Sequence, residues 1–263
     1  MAPKLLLVGG GKMGSALLAG LLDSGWASLD ELVVSEIDPG QRARLEEAHP
    51  GLSVVAGPVE AHDVLLAVKP DVAEPVLLTL AANGARRVLS IVAGIASARL
   101  EAVMPPGSVV VRAMPNTPAL IGAGVAGLSG GMAATSADLD WAEGILAAVG
   151  TVVRLAERQL DAVTGVSGSG PAYVFLVAEA MIEAGVTAGL PRDVSRQLVV
   201  ATLLGSARML DETGQDPAEL RAAVTSPGGT TAAAVRTLEF KAVRSAFIEA
   251  VAAAVERSRQ LGR

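Results

Sequence analysis

The chain has 263 residues, which allows one large domain or two of ordinary size. Its formal net charge is −6 and no run of lysines and arginines concentrates positive charge, so a nucleic-acid-binding surface is not expected. Cysteine is absent, which excludes disulfides, thiolate metal sites and cysteine nucleophiles and is compatible with a reducing compartment.

The first pattern in chain order is a short apolar run followed directly by a glycine-rich turn. Residues 4–8 predict a strand, and Gly9, Gly11 and Gly14 then complete the spacing G-x-G-x-x-G ahead of a predicted amphipathic helix at 15–24. Strand, turn and helix in this order bind a dinucleotide pyrophosphate, because the glycine backbone approaches the phosphates and the helix N-terminus favours negative charge. A glycine turn without a ligand is the alternative.

A second predicted strand, 32–34, ends at Ser35 and Glu36. Glu36 lies where an acid that binds the adenosine ribose is expected, about 20 residues past the glycines. Such an acid can bind the 2′-hydroxyl of NAD but repels the 2′-phosphate of NADP, so we expect NADH to compete well with NADPH. Arg42 and Arg44 follow closely and are candidates to reach a phosphate. The alternatives are a solvated glutamate at a strand end and two arginines on a solvated helix face.

Short apolar runs alternate with helical patterns through residue 156, which is the rhythm of βαβ units. The uninterrupted apolar run at 64–68 is typical of a strand covered on both faces, as in parallel sheets. We predict an α/β fold whose residues 1–156 form a Rossmann-type, doubly wound, mainly parallel sheet that binds the dinucleotide. The predicted strands are 4–8, 32–34, 54–55, 64–68, 88–92, 109–111 and 152–153.

Three further loops, 67–70, 92–94 and 113–118, follow predicted strands. They lie at the edge of the sheet where ligands of open α/β sheets bind. Ordinary strand-to-helix turns are the alternative for each loop. The stretch 113–137 that includes the third loop is uncharged but interrupted by prolines and glycines, so we expect no membrane span there. With the glycine turn and Glu36, the predicted cofactor-binding residues are Gly9, Gly11, Lys12, Met13, Gly14, Ser35, Glu36, Ala67, Val68, Lys69, Pro70, Ala93, Gly94, Met114, Pro115 and Asn116.

From residue 157 onward long helical patterns replace the strands, and we predict an all-helical second domain at 157–263 for substrate binding and dimerisation. The first long helix has few charges around its circumference and is expected to be buried on most sides. A partner chain would supply that burial, so we expect a homodimer and leave a higher assembly of dimers open. A monomer whose helices cover one another is the alternative. The predicted helices are 171–188, 192–213, 217–224, 231–238 and 242–260.

Two clusters of glycines and hydroxyls, 164–171 and 225–231, each precede a predicted helix. A glycine-rich backbone at a helix start can aim several N–H donors at one anion such as a substrate carboxylate, and helix capping alone is the alternative.

His49 and His62 suggest neither a catalytic triad nor a metal pair, so no metal is predicted. The first strand starts almost at the N-terminus, where a signal peptide would overlap the fold, so a cytoplasmic location is expected.

The segment 163–173, Val-Thr-Gly-Val-Ser-Gly-Ser-Gly-Pro-Ala-Tyr, and the segment 226–231, Ser-Pro-Gly-Gly-Thr-Thr, resemble signatures of the pyrroline-5-carboxylate reductases. Residues 67–70 and 112–118 resemble that family too, and the match covers essentially the whole chain in order. The resemblance implies reduction of 1-pyrroline-5-carboxylate, a small imino acid, to L-proline by hydride transfer from NAD(P)H, the last step of proline biosynthesis. Family dimers complete each active site with helices of the neighbouring subunit.

The resemblance also implies residue roles. Thr164, at the seam between the two domains, is the position that donates a hydrogen bond or a proton toward the ring nitrogen; a threonine hydroxyl is too weak an acid to act alone, so a water relay or a substrate protonated in solution is needed. A plain capping hydroxyl is the alternative. The substrate carboxylate would be bound by the N–H groups of Gly229, Thr230 and Thr231 and by the hydroxyls of Ser226 and Thr231.

Two other classes of function remain open from the sequence. One is a non-catalytic nucleotide-binding sensor of cofactor or proline, which would keep the same binding groups. The other is a related cyclic-imine or β-hydroxyacid reductase. β-Hydroxyacid reductases usually have a catalytic lysine on the first interdomain helix, and the predicted helix after Pro171 has none.

Overall fold

A computed structural model describes residues 2–262, and the first part of the chain builds one eight-stranded sheet with the order β3-β2-β1-β4-β5-β6-β7-β8. Neighbouring strands are parallel except for the antiparallel pair β6 and β7. The predicted doubly wound, mainly parallel sheet is thereby confirmed. The strands are β1 Leu5–Val8, β2 Leu32–Ser35, β3 Ser53–Val55, β4 Asp63–Leu66, β5 Arg87–Ser90, β6 Val109–Met114, β7 Gly124–Gly130 and β8 Gly150–Arg154.

The predicted helices are also present, with further helices between the strands. The helix after the glycine turn begins at Lys12, three residues earlier than predicted, and the predicted 192–213 helix has those bounds in the structure. The helices are α1 Lys12–Asp23, α2 Pro39–Ala48, α3 Pro70–Ala82, α4 Ser97–Glu101, α5 Ser136–Ala147, α6 Leu160–Val163, α7 Gly170–Thr187, α8 Arg192–Thr213, α9 Pro217–Ala223, α10 Thr230–Phe240 and α11 Val243–Leu261.

The apolar run of β1 is explained by burial on both faces of the sheet. Leu5 and Leu7 belong to a buried cluster shared with α1 and α5, whereas Leu6 and Val8 belong to a second cluster shared with α3. Successive side chains of a strand point to opposite faces, so a strand between two helical layers is apolar at every position.

The strand β7 was not predicted from the sequence. Its residues, Gly-Val-Ala-Gly-Leu-Ser-Gly, lack the β-branched run that marks the other strands. The glycines are there because neighbours approach closely: a Cβ on Gly124 would lie 2.9 Å from Ala119 Cβ, and one on Gly127 would lie 2.9 Å from Val163 Cγ2. The uncharged stretch 113–137 therefore contributes a strand to the sheet.

The chain divides into two compact units by its internal contacts. The sheet unit comprises the residues up to Ser169 together with those from Val251 onward, and the helical unit is Gly170–Ala250. The predicted division between residues 156 and 157 follows the end of β8 and differs from this grouping, which assigns α6 and the end of α11 to the sheet unit. The domain division at 156 stays a prediction.

The helical unit leaves most of its apolar surface uncovered within one chain. No residue of α7 is buried, and Phe175 and Leu176 on that helix are 62% and 65% exposed. Within the single chain this helix is therefore not buried on most sides, because α8 packs against only part of its surface, and the burial expected from a partner chain stays a prediction.

Within residues 2–262, one helical run, Glu157–Thr187, is long and apolar enough to cross a membrane by length and composition alone. It includes α6 and α7 and is not the stretch that the sequence suggested examining. A single helix of this kind is weak evidence for a membrane segment.

Candidate active site

The glycine-rich loop between β1 and α1 has no room for a side chain at two of its glycines and open space at a third. A Cβ on Gly9, where φ is +102°, would lie 2.4 Å from the carbonyl oxygen of Ala67, and one on Gly14 would lie 2.0 Å from the carbonyl oxygen of Gly9. A Cβ on Gly11 would meet nothing within 4 Å. Gly11 is also the N-cap of α1, whose first N–H groups have no acceptor inside the helix. This open space at a helix N-terminus fits a dinucleotide pyrophosphate.

The carboxylate of Glu36 holds the glycine loop from the neighbouring strand. Its Oε2 accepts a hydrogen bond from the Gly10 N–H at 2.8 Å, and its Oε1 accepts one from the Asp38 N–H at 2.8 Å. Each carboxylate oxygen keeps further lone-pair capacity, which a ribose hydroxyl can use. Glu36 therefore has a structural role that the sequence did not reveal, in addition to its predicted role at the ribose.

Two further side chains hold the same loop and were missed in the sequence. Gln41 Nε2 and Ser15 Oγ both donate to the Gly10 carbonyl oxygen, at 2.6 and 2.8 Å. Their partner is a backbone atom, which leaves no pattern of residue types to recognise. The helix that carries Gln41 begins at the Asp38 cap, whose side chain accepts from the Gln41 N–H at 2.6 Å.

The two arginines near Glu36 differ in their surroundings. Arg42 Nη1 donates to the backbone carbonyls of Glu36 and Ile37, both at 2.9 Å, so its charge lies close to Glu36. Arg44 is exposed and donates to Gln41 Oε1 at 3.4 Å. Arg42 is therefore the arginine whose positive charge can reduce the repulsion between Glu36 and a phosphate.

The remaining predicted cofactor loops follow β4, β5 and β6, which lie side by side and parallel. Their carboxyl ends form the same edge of the sheet as the glycine loop. Ala67 N–H donates to the Val8 carbonyl at 2.8 Å, and Lys69 is the exposed N-cap of α3. The other predicted residues at these strand ends are Val68, Pro70, Ala93, Gly94, Met114 and Pro115, and Ser35 is the last residue of β2.

Asn116 connects the end of β6 to the turn that carries Thr164. It is only 8% exposed; its Nδ2 donates to the Ser167 carbonyl at 3.1 Å and its Oδ1 accepts from the Val125 N–H at 2.9 Å. Burial with both ends of the amide satisfied indicates a structural link at this strand end.

The segment Thr164–Gly168 is a π-helical turn between α6 and α7. The sequence predicted that this cluster precedes a helix, with anion binding and helix capping as the alternatives, but the backbone of the cluster is itself helical: the Ser169 N–H donates to the Thr164 carbonyl at 2.8 Å. Thr164 Oγ1 donates its one proton to the Leu160 carbonyl at 3.0 Å, which leaves its lone pairs to accept further hydrogen bonds. π-Helical turns occur frequently at functional sites.

In the helical unit, the second glycine cluster does precede a helix. Gly229 is the N-cap of α10, and Thr230 and Thr231 are its first residues. The Gly229 N–H donates to the Ser226 carbonyl at 3.0 Å, so this predicted carboxylate donor is used within the turn. The N–H groups of Thr230 and Thr231, at the helix start, have no acceptor inside the helix.

A carboxylate that the sequence did not single out, Glu157, links two distant segments. Its Oε1 accepts from the Ser97 N–H at 2.6 Å and from Arg112 Nη1 at 2.8 Å, and its Oε2 accepts from Ser97 Oγ at 2.6 Å. Burial is the largest influence on the pKa of Glu157 and raises it, but the hydrogen bonds from Ser97 and Arg112 together outweigh burial and hold the pKa below its usual range. The partners are remote in sequence, so no motif signals this group.

Neither histidine lies in the site. His62 is exposed with Nδ1 at 2.5 Å from Asp63 Oδ1, and His49 follows the end of α2. In the part of the chain that the structure describes, no three or more His, Cys, Asp or Glu side chains form a group that could hold a metal ion.

A parallel sheet with an open glycine loop at a helix N-terminus and an acid after the second strand defines a nicotinamide-dinucleotide-dependent oxidoreductase. The pyrroline-5-carboxylate reductase of Synechocystis sp. is 44% identical over 269 residues that cover 100% of both chains, and that of Escherichia coli is 37% identical with the same coverage. The chain belongs to the pyrroline-5-carboxylate reductase family.

Family models and solved structures agree with this assignment. Residues 157–261 match the model for pyrroline-5-carboxylate reductase dimerisation, which supports a homodimer, and residues 4–94 match a model described as NADP oxidoreductase, coenzyme F420-dependent. The pyrroline-5-carboxylate reductase structure from Coxiella burnetii has a TM-score of 0.91 at 34% identity and covers 100% of both chains. The Plasmodium falciparum pyrroline carboxylate reductase structure with NADP bound has a TM-score of 0.87 at 30% identity, covering 99% of this chain and 98% of that one.

Proposed function

We propose that the protein reduces 1-pyrroline-5-carboxylate to L-proline by hydride transfer from NAD(P)H, the last step of proline biosynthesis. The observation that carries this proposal is the 44% identity, over the whole chain, to a pyrroline-5-carboxylate reductase. The open glycine loop and the hydroxyl-rich start of α10 supply the binding groups that the reaction needs.

The cofactor is held by the carboxyl edge of the sheet. The helix start at Gly11 faces the pyrophosphate with free N–H groups, and Glu36 accepts the ribose hydroxyls. The loops after β4, β5 and β6 orient the nicotinamide end. Bound NAD(P)H supplies the hydride, and the protein supplies position and exclusion of water. The bound NADP named for the Plasmodium falciparum relative supports the same type of cofactor.

The imine carbon accepts a hydride readily only when the ring nitrogen is protonated. Because the hydroxyl proton of Thr164 is donated to the Leu160 carbonyl, Thr164 Oγ1 acts as an acceptor for the N–H of a substrate already protonated in solution. Orientation of the iminium by this one hydrogen bond requires no general acid. The substrate carboxylate is bound by the N–H groups of Thr230 and Thr231 together with the hydroxyls of Ser226 and Thr231.

Thr164→Val is expected to lower kcat/KM for pyrroline-5-carboxylate by about 10- to 150-fold, the equivalent of losing a hydrogen bond of ~1.5–3 kcal/mol to a charged group. Thr164→Ser keeps the acceptor and serves as the matched control, with activity close to wild type. Steady-state kinetics and Tm are measured for both variants. A Thr164→Val enzyme with wild-type kcat/KM would contradict the role of Thr164.

The activity itself is tested by NAD(P)H oxidation by the purified protein with pyrroline-5-carboxylate, with piperideine carboxylate as the comparison ring. Thr231→Val is included and is expected to raise KM with little change in kcat, as for a group that binds ground state and transition state alike. Cofactor binding without turnover of any cyclic imine would favour the sensor instead. Turnover of the six-membered ring alone would indicate a related imine reductase.

Glu36→Gln is expected to shift the ratio of kcat/KM for NADPH to that for NADH about tenfold toward NADPH, because it removes a charge that repels the 2′-phosphate and weakens a hydrogen bond worth ~1.5 kcal/mol to the ribose. Glu36→Gln keeps only one of the contacts to the Gly10 and Asp38 N–H groups, because its amide has a single acceptor oxygen, whereas Glu36→Ser loses both and should weaken the binding of both cofactors further. Glu46→Gln, on the exposed face of α2, is the control. An unchanged ratio in Glu36→Gln would remove Glu36 from cofactor discrimination.

We assign the assembled protein to the cytoplasm as a homodimer, with dimers able to associate further. The negative net charge without a basic patch supports a function without nucleic acid. The apolar face of α7 is covered by a partner chain in this proposal, so the run Glu157–Thr187 needs no membrane.

A further inference from the structure

Glu157 joins segments that each lead directly to a proposed site residue. Ser97, which gives it two hydrogen bonds, begins α4 just after the loop that contains Gly94. Arg112, which gives it the third, lies on β6 two residues before Met114. Glu157 itself belongs to the turn that leads into α6 and then to Thr164.

We propose that Glu157 is a positioning residue for hydride transfer. It ties the nicotinamide loops after β5 and β6 to the helical turn that carries Thr164, and it contacts neither substrate nor cofactor itself. The proposal rests on the proposed reductase function.

Close packing and hydrogen bonds bring these segments together around Glu157. The end of α11 closes on the loop after β5, where a Cβ on Gly94 would lie 3.2 Å from Gly262 N. The same helix closes on the Thr164 turn, where a Cβ on Gly165 would lie 2.8 Å from Val255 Cγ2. Hydrogen bonds also join parts of these segments: Arg99 Nη1 donates to the Gly262 carbonyl at 2.9 Å, Ser258 Oγ to Asp161 Oδ1 at 2.7 Å and Asn116 Nδ2 to the Ser167 carbonyl at 3.1 Å. The three charge-assisted hydrogen bonds of Glu157 set their relative orientation.

A cavity of about 250 Å³ beside Glu157 makes the proposal testable by chemical rescue. Its lining includes Arg112, Glu157, Asp161 and Arg259, and both ends of the Gly94–Gly262 contact. Removal of the Glu157 side chain leaves the Arg112 cation and the Ser97 donors facing this space. Formate is small enough to enter and accepts the same hydrogen bonds.

The test compares Glu157→Ala and Glu157→Gln with Asp63→Asn as the matched control. Asp63 forms a partly buried ion pair with Arg87, whose Nε lies 3.0 Å from Asp63 Oδ1, at the opposite end of the strands. For Glu157→Ala we expect kcat to fall about 100-fold, as for a reactant misplaced by about 1 Å, with KM for pyrroline-5-carboxylate within about threefold of wild type. Glu157→Gln should lose less, and Asp63→Asn should keep kcat despite a similar loss of Tm.

A second readout does not depend on turnover. The fluorescence of bound NADH reports how firmly the nicotinamide ring is held, so its enhancement on binding should be smaller in Glu157→Ala although the Kd for NADH changes little. Formate should restore both kcat and this enhancement in Glu157→Ala and should leave Asp63→Asn unchanged. Parallel losses of kcat and Tm in all variants, or recovery of Tm without recovery of kcat, would overturn the proposal. Failure of the wild type to reduce the substrate would instead overturn the proposed function.

Discussion

Gly14→Ala is expected to lower Tm by about 5–10 °C and to abolish NAD(P)H binding, whereas Gly11→Ala should keep the wild-type Tm and lose only the cofactor. A Cβ on Gly14 would lie 2.0 Å from the Gly9 carbonyl oxygen, which is a rigid backbone atom. A Cβ on Gly11 would meet no protein atom within 4 Å and enters the space assigned to the pyrophosphate. Thermal unfolding and NADH fluorescence titration measure the two effects separately.

The two glycines serve as controls for each other, since they lie three residues apart in one loop. For Gly11→Ala we expect the Kd for NADH to rise at least about tenfold, which corresponds to ~1.4 kcal/mol. A wild-type Kd for NADH in Gly11→Ala would show that the pyrophosphate does not bind at this loop. A wild-type Tm in Gly14→Ala would show that the strand and helix ends can separate without cost.

Leu176→Glu is expected to convert the dimer to monomer and to abolish activity, with dimerisation weakened at least about 100-fold by an unpaired carboxylate at a buried apolar surface. Leu176 on α7 and Leu204 on α8 are 65% and 62% exposed in the single chain, and the family model that covers them is a dimerisation domain. Leu204→Glu should have a similar effect. Sedimentation of each variant over a range of concentrations gives the dissociation constant.

Met132→Glu is the control for these variants. Met132 is 93% exposed and lies in the loop after β7, outside the family's dimerisation domain. It should therefore leave both mass and activity unchanged. A monomeric wild-type protein, or a Leu176→Glu variant with an unaltered dissociation constant, would contradict the homodimer.

The sequence predicted those elements in which burial imposes a regular pattern of apolar residues. The run Leu5–Val8 is apolar at every position because both faces of β1 are covered, and that pattern is visible without any partner. The bounds of α8 were predicted because Pro191 precedes the helix and Gly214, with φ of +62°, ends it. The spacing of Gly9, Gly11 and Gly14 similarly predicts a tight turn ahead of a helix from the local sequence alone.

Other features depend on neighbours that are remote in sequence, and there the sequence analysis failed. The glycine-rich sequence of β7 did not look like a strand. Its glycines are needed because Ala119 and Val163 leave no room for a larger side chain, and these neighbours are brought close only by folding. The segment that begins at Thr164 was predicted from its glycines and hydroxyls to lie ahead of a helix, yet helical hydrogen bonds such as that from the Ser169 N–H make it part of a helical turn. Exposure of α7 was likewise decided by how few elements surround it.

The sequence by itself determined the mainly parallel sheet, the helical second half, the family and the residues proposed to bind cofactor and substrate, because each depends on local spacing or on a contiguous motif. Only the tertiary structure decided that Glu36 and Gln41 hold the glycine loop and that Glu157 joins Ser97 to Arg112. A hydrogen bond imposes geometry on two groups in space but no periodicity on the chain between them, so it becomes visible only once the backbone has brought the groups together.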